Sequence, residues 1–240
     1  MNLKQPSQNA AKSGNPIPMT FEFTKPRFLL CEGDDDKGFL ETLIQQRGLP
    51  DFQVCHSAEC NEAGSDGKGV GGRAGFVHSL TGFAPITSFK KVKAILIVTD
   101  NDTARSFRDV SDALTVNGHI APATAADVGS VHGKPLAILM IPSSAIHGDL
   151  EKLCFPEVVA KWPKADQCVT DFLVCTGADH WAKQSSINKA RLRSATVAFN
   201  EAEPYMGIGN LFRKGVLSTA NACFNPIGDF LRAFDAKVGI

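Results

Sequence analysis

The chain has 240 residues, and its 25 Lys plus Arg balance its 25 Asp plus Glu, so the formal net charge at pH 7 is zero. This excludes a global positive field that would draw nucleic acid to the whole surface, so any basic contact must be local. Seven cysteines, an odd number without a Cys-x-x-Cys pair, argue against a disulfide framework or a zinc ribbon and predict a reducing, cytoplasmic setting. Residues 1 to 20 are polar, rich in Gln, Asn, Ser and Pro, and read as a flexible leader without the apolar core of a signal peptide. No stretch has the unbroken apolar length needed to cross a bilayer, so no membrane partner is expected.

In chain order, the apolar run Arg27-Phe28-Leu29-Leu30-Cys31 predicts a strand over 27 to 32, buried on both faces of a parallel sheet. It ends in Glu32-Gly33-Asp34-Asp35-Asp36. A helix follows from about Asp35 to Arg47, with Phe39, Leu40, Leu43 and Ile44 at helical spacing, and Gly48-Leu49-Pro50 stops it. A short strand from Phe52 to Cys55 leads to a glycine-rich stretch, Gly64 to Gly75, and then a helix carrying Phe76, Val77 and Leu80. Within that stretch Gly67 to Gly72 satisfies G-x-G-x-x-G. The loop from Cys55 is too long for a dinucleotide fingerprint, which follows its strand at once, so a mobile loop near the crevice is the better reading. The strand Lys93 to Thr99 ends in Asp100-Asn101-Asp102. A helix through Phe107, Val110 and Leu114 and a strand from Leu136 to Ile141 continue a βαβ alternation. From about residue 150 the pattern is helical, over Val169 to Trp181, Ile187 to Phe199 and Ile227 to Lys237. The expected architecture is α/β: a core over residues 21 to 155 with a mainly parallel central sheet between helices, and a helical extension over 156 to 240 packed on it.

The carboxyl ends of parallel strands form the ligand crevice of such sheets. If the strands at 27 to 32 and 93 to 99 are neighbours, Glu32, Asp100 and Asp102 converge there. Carboxylates held that close repel one another, and a hard divalent cation, Mg2+ or Mn2+, relieves the repulsion. Helix capping accounts for single acids in each stretch, with Asp34 or Asp35 before the first helix and Thr103 before the next. It does not require the combination of Glu-Gly after one strand and Asp-x-Asp after the other.

The segments Leu29-Leu30-Cys31-Glu32-Gly33-Asp34-Asp35-Asp36-Lys37 and Ile97-Val98-Thr99-Asp100-Asn101-Asp102 resemble the two signature motifs of the toprim domain. That domain is shared by topoisomerases, bacterial primases, a maturation ribonuclease of 5S RNA and overcoming-lysogenization-defect nucleases. His147-Gly148-Asp149-Leu150-Glu151-Lys152-Leu153 and, more loosely, Pro226-Ile227-Gly228-Asp229-Phe230-Leu231 are similar to a prokaryotic branch of toprim-related proteins. The core resemblance covers roughly residues 25 to 155. Cys31 and Thr99 depart from the usual residues without removing a carboxylate. The resemblance implies a toprim-like fold, with Glu32 near the scissile phosphate as metal ligand or general base and Asp100 and Asp102 holding Mg2+. It also implies a second-metal role for Glu151, whose alternative is a helix N-terminal acid favoured by the macrodipole. Asp36 has the same two readings, second-metal ligand or first-turn acid.

Phosphodiester chemistry also needs positive charge. Lys189 and Arg193 lie four apart on one face of a predicted helix, either gripping backbone phosphate or forming a solvated face. Lys189 further resembles the lysine that assists some toprim nucleases. Lys90 and Lys91, near Lys93, form a second phosphate contact or a soluble lead-in to a strand. The six histidines form no zinc-enzyme pattern, and no nucleophile-elbow serine is present. Tyr205, the one tyrosine, sits in a turn-like Pro-Tyr-Met-Gly setting that argues against strand passage, and a primase would need a polymerase region for which the chain has little room. The expectation is a Mg2+-dependent (or Mn2+-dependent) nuclease acting on DNA or RNA, helped by a partner ATPase or by homo-oligomerisation. The alternatives are a non-catalytic toprim-scaffold module that binds nucleic acid or a partner, and a maturation-type ribonuclease.

Overall fold

A computed structural model describes residues 21–60 and 71–240. The leader over residues 1–20 and most of the glycine-rich stretch, 61–70, lie outside the described residues, and with them most of the G-x-G-x-x-G match. Four parallel strands are β1 (Arg27–Cys31), β2 (Gln53–His56), β3 (Ala94–Asp100) and β5 (Lys134–Ile141). A short antiparallel strand, β4 (Gly129–Val131), completes the sheet in the order β2-β1-β3-β5-β4. The helices are α1 (Asp34–Gln46), α2 (Ser57–Cys60), α3 (Gly72–Phe83), α4 (Ser106–Val116), α5 (Leu150–Lys161), α6 (Ala165–Thr176), α7 (Gln184–Phe199), α8 (Ile208–Arg213) and α9 (Asn225–Val238). The α/β expectation of a mainly parallel sheet between helices therefore holds.

The inner positions of the parallel strands are apolar because both faces of the sheet are covered. Phe28, Leu30, Ile95, Ile97, Ile138 and Met140 point to one face and pack with Phe23, Phe76, Leu80, Phe83 and Leu114 beneath α3 and α4. Leu29, Cys31, Leu96, Val98, Leu139 and Ile141 point to the other and pack with Phe39, Leu43, Leu153, Val158, Leu192, Leu211, Phe224 and Leu231. The C-terminal helices thus share one core with the sheet and supply the layer that α1 alone is too small to provide. Their seating needs close backbone approach: a Cβ on Gly38 of α1 would stand 2.6 Å from the Cα of Gly209 in α8. Arg27 at the start of β1 fastens the end of the chain, pairing with Asp235 in α9 and donating to the Ile240 carbonyl at 2.6 Å.

β4 has no counterpart in the sequence reading. It pairs with β5 across a two-residue turn in which His132 (φ 50°) and Gly133 (φ 73°) are both left-handed, the conformation that suits the twist of a tight hairpin. All seven cysteines are free. Among the described residues no helix is long and apolar enough to cross a membrane.

Candidate functional site

β1 and β3 are adjacent and parallel, with Leu30 opposite Ile97, so Glu32 and Asp100 emerge at the same edge of the sheet. One carboxylate oxygen of Glu32 accepts hydrogen bonds from the Thr99 hydroxyl (2.5 Å) and the Asp100 N–H (3.2 Å). The start of α3 is fixed against the end of β1: Gly72 N–H donates to the Glu32 carbonyl (3.4 Å), and the Ser57 hydroxyl lies 3.3 Å from that carbonyl and 3.2 Å from the Gly72 carbonyl. This places Arg73 across the crevice. Its Nε donates to Glu32 (3.2 Å) and Thr99 (3.0 Å), and its Nη2 donates to the Asp100 carbonyl (2.8 Å) and the Asp102 carboxylate. Asp102 also accepts from the Ser106 hydroxyl at 3.1 Å. Burial works against the Asp102 charge, but the Arg73 hydrogen bond and charge outweigh it and hold the carboxyl below its ordinary range.

Asp100 turns the other way, toward the N-terminus of α5, where its Oδ1 accepts from Leu150 N–H at 3.1 Å. Asn101, the middle residue of Asp-x-Asp, ties the loop from β5 to α5 in place. Its N–H donates to the Ile141 carbonyl (2.7 Å), its side chain donates to the Ser143 carbonyl (2.9 Å), and its carbonyl accepts from Gly148 N–H (2.8 Å). Asp149 caps α5, accepting from Lys152 N–H (2.9 Å) and the Asn188 amide (3.0 Å). Asp149 is fully buried, and its second oxygen has no hydrogen-bond partner.

These acids share one electrostatic environment. Burial first, then the charges of Asp36, Glu32, Asp149 and Glu151, push Asp100 well above the usual carboxylate range. Asp36 is pushed up to about 7 by burial, then by Glu32, with Glu151 and Asp35 adding to it, against the Gly33 N–H that favours its charge. Glu151 is raised by burial and by Asp149, with Lys189 opposing. Asp149 is raised mainly by burial. Asp36 also forms a first-turn contact, accepting from Gly33 N–H at 3.0 Å, so its capping and its membership of the cluster coexist.

The cations divide into two groups. Lys189 and Arg193 are exposed on α7 beside the crevice, where Lys189 favours the charged forms of Glu151 and Asp149, and Arg193 lines a cavity with Asp35 and Glu151. Lys90 and Lys91 are not brought to the site. They precede β3 and so lie at the amino edge of the sheet, opposite the carboxylates, and Lys91 pairs with Glu22 at 3.0 Å. A cation that precedes a parallel strand is separated by the length of that strand from the acids that follow it. Arg73, Asp149 and Asn101 form part of the site although the sequence reading gave none of them a role there. Arg73 stands second in α3, and nothing in its local sequence marks it as a partner of Glu32.

The donor set is made of carboxylate oxygens, which suits a hard cation such as Mg2+ or Mn2+, and the unpartnered oxygen of Asp149 leaves one acceptor of the cluster unused. Among the described residues no group of three or more His, Cys, Asp or Glu side chains is assembled as a ready metal cage. Arg73 stands between Glu32 and Asp102 and supplies the countercharge there. The fit is therefore chemical, with Glu32, Asp36, Asp100 and Glu151 as the set facing the crevice, while Asp102 is engaged by the guanidinium.

No curated protein and no solved structure matches the chain. A family model described as a protein of unknown function, DUF3226, matches residues 26–234. The matched span runs from β1 to α9 and includes every side chain of the crevice. On that span, the chain belongs to the DUF3226 family.

Proposed function

We propose that the protein is a toprim-like, divalent-cation-dependent nuclease that hydrolyses phosphodiester bonds of DNA or RNA, with Mg2+ or Mn2+ as cofactor. The observation that carries this reading is the group of acids, Glu32, Asp36, Asp100 and Glu151, held at the carboxyl edge of a parallel sheet, in which Asp36, Asp100 and Glu151 stay protonated to higher pH than free carboxyls. A purely structural role gives no reason to keep such a cluster. Glu32, Asp100, Asp36 and Glu151 would hold the cation, and Asp102 would join on release from Arg73. When bound, the cation supplies an activated water and offsets the charge of the leaving oxygen.

The chain's own residues prepare this chemistry. Thr99 and the Asp100 N–H orient Glu32, which is left with a second oxygen for a ligand or for a proton. The N-terminus of α5 orients Asp100 through Leu150. Arg73, once free of Asp102, is within reach of a phosphate drawn into the crevice, and Lys189 and Arg193 meet the flanking backbone. With no net charge on the chain, a partner ATPase or a second copy supplies further grip on the substrate.

One observation favours a second reading, a non-catalytic nucleic-acid or partner-binding module. Arg73 already neutralises Glu32 and Asp102 as a protein-borne cation. The two readings separate in one experiment. The purified chain is incubated with single-stranded and duplex DNA and RNA, a structured ribosomal RNA precursor included, with EDTA, Mg2+ or Mn2+. The nuclease reading expects cleavage only with the metal, abolished in Glu32→Gln while binding persists. Binding without cleavage under every metal supports the module, and wild-type activity in Glu32→Gln refutes the nuclease assignment.

A further inference from the structure

Next to the acidic crevice, between α7 and the turn that precedes α8, lies a cavity of about 200 Å3. Its walls include the apolar Leu192, Met206 and Ile208 and the acids Asp35 and Glu151; one Asp35 oxygen accepts from Gly209 N–H at 2.9 Å. Tyr205 stands at its mouth and is 91% exposed, the largest exposure among the large hydrophobic side chains described. Arg193 lines the same cavity, with Lys189 one turn away on α7. Neither cation forms an ion pair or a side-chain hydrogen bond among the described residues.

We infer that this cavity is a nucleobase subsite and that the substrate is presented as a single strand, with one base in the cavity against Tyr205 and its backbone led past Lys189 and Arg193 toward Glu32 and Asp100. The inference deepens the proposed nuclease reading and rests on it for the adjoining chemistry. Size, walls and rim each support it. The volume falls below the roughly 300–1,000 Å3 of sites for drug-sized ligands, which limits the occupant to a single ring system. A flat ring between apolar side chains and an exposed phenol gains stacking energy whatever its identity. The carboxylates accept hydrogen bonds, as the exocyclic amino groups and ring N–H of nucleobases require. The two unpaired cations match the sugar-phosphate backbone on either side. Glu151 lies both in the cavity wall and in the electrostatic cluster of the crevice, so a seated base places an adjacent phosphate beside the acids. A base within a duplex is stacked on both faces and cannot enter unless extruded.

The test uses the full chain carrying Glu32→Gln, so that binding is read without turnover, and a single-stranded oligonucleotide with one 2-aminopurine. Binding is expected to quench the 2-aminopurine fluorescence. Adding Tyr205→Leu should weaken single-strand affinity by roughly tenfold and remove the quench, whereas Tyr205→Phe, which keeps the ring, should retain both. Blunt duplex of the same sequence should bind more weakly and respond to neither change. The high exposure of Tyr205 keeps these substitutions clear of the core. Single-strand affinity within twofold of the parent in Tyr205→Leu, equal loss in Tyr205→Phe, or no single-strand binding at all overturns the subsite. Metal-dependent cleavage by the wild-type chain with no dependence on Tyr205 leaves the nuclease reading standing and removes this inference alone. Tyr205-dependent binding without cleavage under any metal does the reverse.

Discussion

Replacing Asp36 with Asn isolates the charge at the centre of the crevice. The Asp36 carboxyl rises from 3.8 to about 7, through burial first and the charge of Glu32 next. The folded chain therefore holds this proton more tightly than the unfolded chain. As pH rises from about 4 to about 7 the unfolded chain has already lost its proton, so stability of the metal-free protein falls across that window and levels off above it. A rise of this size corresponds to roughly 4 kcal/mol at about 1.36 kcal/mol per pH unit. Part of it reflects neighbouring charges that redistribute when Asp36 is replaced, which leaves an expected effect of about 2 kcal/mol. Asn keeps an oxygen for the Gly33 N–H, 3.0 Å away in the native chain, so the cap survives and the charge alone is lost. At pH 8 in EDTA, Asp36→Asn should be more stable than wild type by about 2 kcal/mol and melt roughly 4–8 °C higher. At pH 4 the two should coincide. Millimolar Mn2+ should narrow or invert the difference at pH 8, because the ion stabilises the ionised cluster of the wild type. Denaturant and thermal unfolding followed by circular dichroism at pH 4, 6 and 8 measure all of this. An Asn variant no more stable at pH 8, or an advantage that persists at pH 4, would show that the Asp36 charge does not strain the crevice.

Arg73→Gln removes the countercharge from Glu32 and Asp102, two carboxylates with side chains 23% and 28% exposed. It should cost about 2 kcal/mol without metal at pH 7. If Mn2+ binds at the proposed site, it should raise the melting temperature more in this variant than in the wild type, since the ion would no longer compete with a guanidinium. An unchanged metal response would show that Arg73 and the cation do not share a site. Gly38→Ala should lower stability by about 2 kcal/mol in urea unfolding, because its Cβ meets the Gly209 backbone. Gly82→Ala, with nothing within 4 Å of the added Cβ in α3, should be neutral or gain up to about 1 kcal/mol. Equal effects at the two glycines would contradict the close packing of α1 on α8.

The parallel core was legible because β1 from Phe28 to Cys31 and β3 from Ala94 to Val98 are unbroken apolar runs, the pattern of a doubly covered sheet, and because acids that follow such strands gather at one edge. Lys90 and Lys91 lie at the opposite edge for the same reason, since they precede their strand. The β4 hairpin was hidden because three residues give no periodicity and its His132-Gly133 turn lacks the Asn-Gly or Asp-Gly pair that marks a tight hairpin. Arg73 was hidden for a different reason: its role depends on Gly72 and Ser57 docking the start of α3 on the Glu32 carbonyl, a tertiary contact without local signature. The C-terminal helices were legible as helices. That they complete, together with α1, one layer of the sheet's core was not, because helical spacing shows that a face is buried and not what it is buried against.

Whether the crevice holds a divalent cation is decided by the anomalous scattering of Mn2+ in a crystal of the wild-type chain soaked with that ion. A Mn2+ peak is expected about 2.1 Å from carboxylate oxygens of both Glu32 and Asp100, with Arg73 withdrawn from Asp102. A saturating soak that leaves Arg73 bridging Glu32 and Asp102, with no Mn2+ at Asp100, would contradict a cation site in the crevice.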